Sequence, residues 1–563
     1  MISGREWGMM EGQGERRHVS SILAGLRSLL PSRDDYRGLK TGWRGDLVAG
    51  LTVGIVALPL ALAFGVSSGV GAEAGLITAI VAGLVAAVFG GSNVQVSGPT
   101  GAMVVVLAPI VVLHGPGAVA VVSLMAGLMV VAAGIFRLGR AVSYIPWPVI
   151  EGFTAGIGII IFLQQVPAAL GVENTGHSSN AVVAAWQTLT EASWPAALLP
   201  LAAVAAVALI MLLLDRFVPG FPSSFAAILI VSVVAVLMGS QLPNIGELPS
   251  SLPAPTLPAF DGAMLASLAG PAAAVAALVA IESLLSARVA ATIADTGPVN
   301  ADRELFGQGL ASVASGLFGG MPATGAIART AVNVRSGART RVAAIVHALA
   351  LLLVVLVAAP IVGAIPLAAL AGVLMMTAAR MVSWQTAKRV FSSGKSSAAT
   401  FAITLLITVS VDLVVAVGIG VAVAAFFALR TLGNMSGATR EPLPGEAAPG
   451  DERIALFRVE GSLFFGAADR LVEAISDEEG VEVAILRLSD LQIIDATGAN
   501  ALAGLVTSLE RRGVTVLIKG VQAHHRTLLE RLGVIRSLRD PHHLFDELEP
   551  ALDHARDHIR RAS

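Results

Sequence analysis

Two short segments in the apolar part of the chain repeat one pattern of proline, threonine, glycine and alanine. The first is Pro99-Thr100-Gly101-Ala102 and the second is Pro322-Ala323-Thr324-Gly325-Ala326. Such residues are typical of a helix start, where the first backbone N–H groups lack partners within the helix and carry partial positive charge. Two helix starts inside a membrane would form an anion site, so the repeated pattern predicts that these segments bind an anion.

Hydroxyl side chains and glycines of these segments are the first candidates for contact with the anion. The candidate hydroxyls belong to Ser97, Thr100 and Thr324. They could bind the anion or only cap the helices, because both roles use overlapping geometry. The N–H groups that follow Gly101 and Gly325, including that of Ala326, are the preferred candidates, since glycine lets a ligand approach the chain closely.

Arg329 would add fixed positive charge about one turn after Gly325. An arginine inside the membrane is costly unless a partner or a water-filled cavity offsets the cost. We therefore predict that Arg329 helps to hold the anion. The alternatives are a structural ion pair and a cap on backbone carbonyls.

Glu282 is the one acidic residue that we place well inside an apolar segment. A carboxylate in apolar surroundings can bind and release a proton near neutral pH. Ser286 lies one helical turn later, on the same face. The pair predicts a site for a coupling proton or sodium ion, and glutamate rather than aspartate favours the proton. The alternative is a permanent salt bridge between Glu282 and Arg329.

The composition is that of a polytopic membrane protein. The 563 residues are 55% hydrophobic and 13% charged, against roughly 25% charged in soluble domains. The chain has no cysteine, which excludes disulfides, thiol catalysis and cysteine metal sites. It also has no phosphate-binding P-loop, which disfavours ATP-driven transport. We expect neither enzymatic activity nor a metal site, cofactor or nucleic-acid partner.

About fourteen apolar segments are predicted to cross the membrane, since several approach the roughly 20 residues that a spanning helix needs. They lie near 47–66, 72–89, 97–113, 117–136, 148–168, 196–214, 222–239, 270–290, 303–318, 323–335, 341–360, 365–379, 398–413 and 414–430. The two long outer connections, 171–193 and 239–267, contain no lysine or arginine. This positive-inside pattern predicts a plasma (inner) membrane protein with both termini in the cytoplasm.

A soluble α/β module is predicted after the last span. Strands are expected at 454–459, 483–488 and 514–519, and helices at 467–476, 497–511, 524–532 and 544–560. The predicted regions are a cytoplasmic N-terminal region at 1–45, a transport domain at 46–430, a linker at 431–451 and the module at 452–563. Residues 1–45 lack the apolar core of a signal peptide.

Several segments together resemble the sulfate permease (SulP) family of anion transporters with a C-terminal STAS domain. They are LVAGLTVGIVALPLALAFGVSSGV, QVSGPTGAM, GFTAGIGIII, IESLLSARVA, ELFGQGLASVASGLFGGMPATGAIARTAVNVRSGARTR and IIDATGANAL. The resemblance implies two inverted seven-span repeats that form a core domain and a gate domain. The anion would then lie between the third and tenth half-helices.

The resemblance also implies roles for individual residues. Phe64 resembles the aromatic residue of the family's anion pocket, with ordinary packing as the alternative. Glu282 and Ser286 resemble the aspartate and hydroxyl of sodium-coupled members. Thr497 aligns with a phosphorylated serine of free-standing bacterial relatives, which makes it a candidate regulatory phosphosite; the alternative is a helix N-cap.

The expected function is secondary active transport of sulfate or a similar oxyanion by alternating access. One departure leaves the substrate open, because Pro59 is followed by Leu60 where family members often carry Gln or Glu. Sodium-coupled bicarbonate and proton-coupled C4-dicarboxylate transport are therefore alternatives. Two further alternatives are an anion channel and a STAS-anchored signalling protein with a degenerate transport core. We expect contact with membrane lipid and a homodimer.

Overall fold

A computed structural model describes residues 27–140, 145–172, 180–218, 220–259, 261–293, 297–411, 413–434, 437–463 and 480–562. The chain divides into two compact units, Met1–Val421 and Ala422–Ser563. Helix α18, Leu413–Asn434, contains the boundary between them. The two units are described one at a time.

The first unit is built from α-helices. In chain order, α1 to α9 are Leu39–Ser67, Gly71–Ile77, Gly83–Phe89, Gly101–His114, Gly117–Ile135, Trp147–Gln164, Val166–Leu170, Ala181–Glu191 and Trp194–Phe217. The helices α10 to α17 are Ser223–Leu237, Gly262–Ile293, Ala301–Leu317, Ile327–Arg335, Val342–Gly363, Leu367–Met381, Trp384–Ser392 and Lys395–Ser410. A π-helical segment, Thr78–Ala82, joins α2 to α3.

Eight helical stretches among the described residues are long and apolar enough to cross a membrane. They are Leu39–Ser67, Gly71–Phe89, Gly117–Ile135, Trp147–Leu170, Trp194–Phe217, Gly262–Ile293, Val342–Gly363 and Leu367–Ser392. Shorter apolar helices lie at Gly101–His114, Ser223–Leu237, Lys395–Ser410 and Val415–Thr431. Each of the fourteen predicted segments overlaps a helix, but only eight meet the criteria of length and hydropathy for a full span.

Two short strands pair inside this unit, and we call this pairing the crossing. Strand β1, Ser97–Gly98, pairs antiparallel with β2, Thr324–Gly325, so that Ser97 lies opposite Gly325. The backbone N–H of Ala326 extends the pairing by donating to the carbonyl of Val96 at 2.9 Å. This pairing shortens the helix predicted at 323–335, which begins only at Ile327.

Glycines bring α12 and α5 into backbone contact. A Cβ atom added at Gly127 would lie 2.8 Å from the carbonyl oxygen of Gly309, and one added at Gly309 would lie 2.7 Å from that of Gly127. Small residues allow close helix packing in membranes, where the hydrophobic effect does not drive helices together. The helix that precedes β2 is therefore closely packed against α5.

The second unit contains a six-stranded sheet. Its strands are β3 (Gly437–Glu441), β4 (Ile454–Leu463), β5 (Val483–Arg487), β6 (Leu491–Ile494), β7 (Thr515–Lys519) and β8 (Leu544–Phe545). The order is β3-β4-β5-β7-β8, with β6 paired to the end of β4. Strands β3 and β4 are antiparallel, and the other pairs are parallel.

Helices cover both faces of this sheet, which explains why its central strands are almost continuously apolar. On one face, Ala484 and Leu486 pack in the same cluster as α19 (Ala496–Arg511) and α20 (Ala523–Arg531). On the other face, Val483 and Ile485 pack against α21 (Leu548–Ala562). Alternate side chains of β5 thus pack into two separate hydrophobic cores, one on each face of the sheet.

The structure corrects the sequence analysis of this unit at two places. Residues 437–441 lie inside the predicted linker, yet they form β3, whose Ala438 packs against the first of these cores. The helix predicted from 544 begins instead at Leu548, because Leu544 and Phe545 pair with β7. The helix predicted at 467–476 lies outside the described residues.

Candidate functional site

Two short helices begin directly after the crossing of β1 and β2. Helix α4 has 14 residues and α13 has 9, which makes them about 21 and 14 Å long. Both are shorter than the roughly 30 Å of a bilayer core. Each start lies within the unit, because Thr100 and Thr324 are buried. The hydroxyl oxygens of Thr100 and Thr324, just before these helices, lie 3.0 Å apart.

Glu282 of α11 joins the two helix starts. Its Oε2 atom accepts hydrogen bonds from the Thr100 hydroxyl at 2.8 Å and from the Thr324 hydroxyl at 2.9 Å. Among the residues that the structure describes, no ion pair within 4 Å links Glu282 to Arg329, so the alternative of a permanent salt bridge is not what is observed. Thr100 is the N-cap residue of α4, but its side chain does not cap the described part of that helix.

Glu282 and Ser286, which the sequence analysis pairs, contact different residues in the structure. The Ser286 hydroxyl lies 3.2 Å from that of Thr330 on α13, and Thr330 also accepts a hydrogen bond from the N–H of Val96 at 3.1 Å. Ser283, between the two predicted residues, accepts from the N–H of Gly325 at 3.1 Å. One face of α11 therefore holds both crossing strands in place.

Arg329 lies beside β1. Its side chain is 2% exposed, and Nη2 donates to the carbonyl of Pro99 at 2.5 Å. Its Nη1 atom is buried and has no hydrogen-bond partner among the described residues. Arg329 therefore caps a backbone carbonyl, which is one of the alternative roles considered for it. The free Nη1 leaves the guanidinium able to act on an anion as well.

Two of the predicted N–H donors are already engaged within the protein. Gly325 donates to Ser283, and Ala326 donates to the carbonyl of Val96. A Cβ atom at Gly325 would collide with the side chain of Gln95. Gly325 thus serves the close packing of the crossing, and the N–H groups that remain for a ligand on α13 begin at Ile327.

Models of two known protein families match the chain. Residues 43–404 match the model of the sulfate permease family, and residues 447–551 match that of the STAS domain. The chain belongs to the sulfate permease family. Membership makes it a multi-pass anion transporter with a STAS domain, as the sequence resemblance predicts.

Relatives of the family cover nearly the whole chain. The putative sulfate transporter YvdB of Bacillus subtilis is 35% identical over 513 residues, which cover 89% of this chain and 96% of that protein. The bicarbonate transporter BicA of Picosynechococcus sp. is 31% identical over 520 residues, which cover 88% of this chain and 91% of that protein.

Two solved structures share the fold of this chain. The transmembrane domain of a cyanobacterial bicarbonate transporter BicA matches with a TM-score of 0.60 at 34% identity, covering 68% of this chain and 98% of that one. The structure of SLC26A9 matches with a TM-score of 0.80 at 17% identity, covering 97% of this chain and 94% of that one. The second likeness concerns the fold alone.

Within this sulfate permease fold, Phe64 lies against the start of α4. Phe64 is 6% exposed, and a Cβ atom at Gly101 would lie 3.4 Å from its Cε1 and collide with Ile161. Glycine at this position therefore lets the first turn of α4 pack closely against Ile161, with the Phe64 ring beside it. Phe64 is thus buried beside the helix start, a position that fits both a wall of the anion pocket and the alternative of ordinary packing.

Ser97 is at the crossing, but its hydroxyl contacts α12. It accepts a hydrogen bond from Nε2 of Gln308 at 2.5 Å. Gln308 also donates to Oε1 of Glu304 at 2.8 Å. Glu304 is 1% exposed and Asp46 is fully buried, so Glu282 is not the only acidic residue inside the unit.

Sequence reasoning missed the polar residues that hold the crossing, because serine, threonine and glutamine scattered along apolar helices give no motif. The missed residues are Gln95, Ser283, Glu304, Gln308, Ser312, Ser315, Thr330 and Asn333. The available signal was the spacing of three or four residues along α12 and α13, which places the members on each of these helices on one face; Gln95 lies outside the helices.

Thr497 lies in the first turn of α19 and is exposed. The N-cap residue of this helix is Asp495, whose Oδ1 accepts from the N–H of Gly498 at 2.7 Å. The alternative of a capping threonine therefore does not hold. An exposed hydroxyl at a helix start is accessible for modification, so Thr497 stays a candidate phosphosite.

Proposed function

We propose that this sulfate permease homologue is a secondary active transporter that moves a small oxyanion by alternating access. The anion binds between the N-termini of α4 and α13. The observation that carries the proposal is the meeting of both helix starts at Glu282, through Thr100 and Thr324. Discontinuous helices whose N-termini converge near the membrane midplane are the sites at which transporters bind anionic groups.

The residues that we propose for the anion site are those predicted from the sequence. They are Phe64, Ser97, Thr100, Gly101, Thr324, Gly325, Ala326 and Arg329. Arg329 supplies charge, Phe64 an apolar wall, and the first turns of α4 and α13 free N–H groups. Ser97, Gly325 and Ala326 shape the site through the contacts of the crossing rather than through free donors.

Glu282 is the proposed coupling residue, and it binds a proton or a sodium ion together with the surrounding hydroxyls. Protonation would remove the negative charge that faces both threonines, so it would lower the electrostatic cost of bringing an anion to the helix starts. The proximity of Ser286 to Thr330 places a further hydroxyl pair one turn along α11. These contacts connect the coupling ion with the anion in one site.

Sulfate is the first candidate substrate, and bicarbonate is the second. The name of YvdB, a putative sulfate transporter at 35% identity, supports sulfate. The likeness to the bicarbonate transporter BicA, at 31% identity for the whole chain and 34% for its transmembrane domain, supports bicarbonate. Both are small oxyanions that fit a site of N–H donors and one guanidinium.

We further propose fourteen spans in two inverted repeats of seven, because every predicted segment has a helical counterpart. Both termini are then cytoplasmic, the protein lies in the plasma (inner) membrane, and two copies form a homodimer. The proposed transport domain is 46–430, followed by a STAS domain at 452–563.

The deciding experiment is uptake into proteoliposomes of labelled sulfate and, separately, labelled bicarbonate. Each is measured under an imposed proton gradient, an imposed sodium gradient, and neither. Saturable uptake that one gradient drives above equilibrium is the expected result. Conductance far faster than a carrier would identify a channel, and absence of saturable uptake of both anions would contradict the proposal.

A further inference from the structure

Helix α12 carries four buried polar residues on one face. Glu304, Gln308, Ser312 and Ser315 are each at most 1% exposed. Their spacing of four, four and three residues places them one above another along the helix. We call these four residues the α12 polar spine. Buried polar groups cost free energy unless they are hydrogen-bonded, so the partners of the spine indicate its role.

The first half of the spine holds the segment that leads into α4. Glu304 Oε2 accepts hydrogen bonds from the N–H groups of Gly91 at 2.7 Å and Ser92 at 3.0 Å. Gln308 Nε2 donates both to Glu304 Oε1 and to the hydroxyl of Ser97. One end of the spine thus fixes β1 and the turn before it.

The second half of the spine holds the segment that leads into α13. The Ser312 hydroxyl lies 3.3 Å from the N–H nitrogen of Ala323, which donates to it. The Ser315 hydroxyl donates to the carbonyl of Met321 at 2.7 Å. The N–H of Met321 in turn donates to Thr78 of the π-helical segment at 2.8 Å. The same helix face therefore fixes the approach to β2.

Helix α12 packs closely against the backbone of other segments on more than one side. A Cβ atom at Gly307 would lie 2.5 Å from the N–H nitrogen of Gly90, and Gly309 meets α5 as described above. A helix held this closely changes position only if its neighbours move with it. Displacements along the spine would therefore be transmitted to both crossing strands.

We propose that the α12 polar spine is the positioning element of the anion site. It sets the separation and direction of the two helix starts, and through them the affinity for a small oxyanion. This inference rests on the proposed function. Gln308 is its central residue, because its amide group connects Glu304 with the side chain of Ser97. None of the spine residues needs to touch the anion for this effect.

The test is a double-mutant cycle of Gln308→Met and Ser97→Ala in full-length protein, reconstituted in proteoliposomes. The anion is sulfate or bicarbonate, whichever the wild type takes up better, and KM and Vmax are measured separately. Each single variant should raise KM about tenfold with a smaller change in Vmax, because a buried group loses its partner. The double variant should match the single variants within about twofold, since both remove one hydrogen bond.

Ser123→Ala is the matched control. Ser123 donates to the carbonyl of Ser312 at 2.8 Å from the side of α5, so this variant removes a buried hydrogen bond to the same helix. Its KM should stay within about twofold of the wild type. Equal KM increases in all variants would show general loosening of α12 and overturn the inference, as would additive effects in the cycle.

Thr324→Val separates this inference from the proposed function. Thr324 lies at the site itself, so its variant should change KM whenever the anion binds at the crossing. If Thr324→Val changes KM but Gln308→Met and Ser97→Ala do not, only the positioning role is overturned. If none of the three changes KM, the proposed anion site is overturned as well.

Discussion

A single carboxylate oxygen connects residues that are 224 positions apart in the sequence. Glu282 Oε2 binds both threonine hydroxyls, and each hydroxyl precedes a different half-helix. An anion at these helix starts and a negative charge on Glu282 would repel each other at short range. At the scale of single residues, we therefore expect anion binding to depend on the charge state of Glu282.

The first prediction concerns the positive charge of Arg329. Arg329→Ala should lower saturable anion uptake at least about tenfold. A tenfold loss corresponds to ~1.4 kcal/mol of binding free energy, and a fixed charge near the anion contributes this much even at a high effective dielectric constant. Uptake into proteoliposomes measures the loss. Membrane insertion and thermal unfolding of the purified variant control for folding, because Arg329 also binds the Pro99 carbonyl.

Arg329→Lys refines this prediction. Lysine keeps a point charge but not the planar fork of arginine, so uptake should recover in part. Normal affinity for the anion in Arg329→Ala would refute the role of the charge. Equal loss in both variants would indicate that the bond to Pro99, rather than the charge, is what matters.

The second prediction concerns coupling through Glu282. Glu282→Gln keeps the size of the side chain and an oxygen that can accept from both threonines, but it cannot ionise. Gradient-driven accumulation should fail in this variant, while anion exchange persists in part. The measurement compares net uptake under proton and sodium gradients with counterflow. Accumulation at the wild-type level under every gradient would rule out a coupling role.

At the scale of elements, the N-terminal segment helps to fix the end of α3. Asp35 accepts two hydrogen bonds from the Arg303 guanidinium, at 2.8 and 2.7 Å, and its Oδ1 lies 3.6 Å from Arg341. These arginines donate to carbonyls at the C-terminus of α3, those of Phe89 at 3.3 Å and Gly90 at 2.7 Å. Cations at a helix C-terminus are favourable, and the carboxylate of Asp35 offsets part of their positive charge.

The third prediction follows from the ionisation of Asp35. Burial raises the pKa of this carboxyl, but hydrogen bonds from Arg303 and the Ser32 N–H, with the charge of Arg341, hold it below its usual range. A carboxyl whose pKa is lower in the folded than in the unfolded protein stabilises the fold at pH values above the unfolded-state pKa. This stabilisation is lost as the pH falls through the folded-state pKa. The wild type should therefore lose thermal stability below about pH 4 in a way that Asp35→Asn does not.

The measurement is the unfolding temperature of both proteins in detergent across this pH range. At neutral pH, Asp35→Asn should already be the less stable protein, because it removes the carboxylate that hydrogen-bonds Arg303 and attracts Arg341. The two curves should converge as pH falls. Parallel curves at all pH values would mean that Asp35 does not stabilise the fold through its charge.

The half-helices could be predicted from the sequence, whereas the strand pairing that holds them together could not. Proline, threonine and glycine mark a helix start by local geometry, so Thr100-Gly101 and Thr324-Gly325 could be located. The pairing of Ser97 with Gly325 joins distant parts of the chain and has no local signature. Strand β3 was likewise missed, because five residues beginning with glycine resemble a linker until a partner strand is known.

At the scale of the whole molecule, every residue of the proposed anion site belongs to the first of the two units. The second unit has its own sheet and two hydrophobic cores, with helices on both faces. A module with hydrophobic cores of its own can in principle fold without the transport domain. Anion selectivity should therefore not depend on the presence of the STAS domain.

The last prediction is a truncation after Asn434, the final residue of α18, which keeps that helix whole. The shortened protein should retain the order of preference among sulfate, bicarbonate and succinate, because the proposed site from Phe64 to Arg329 stays intact. We expect transport rate and expression to fall in the shortened protein, without a change in that order. Competition of unlabelled anions against one labelled anion, in matched vesicles, gives the order for both proteins. A changed order would mean that the STAS domain shapes the anion pathway, so that selectivity belongs to the whole chain rather than to the crossing of two half-helices.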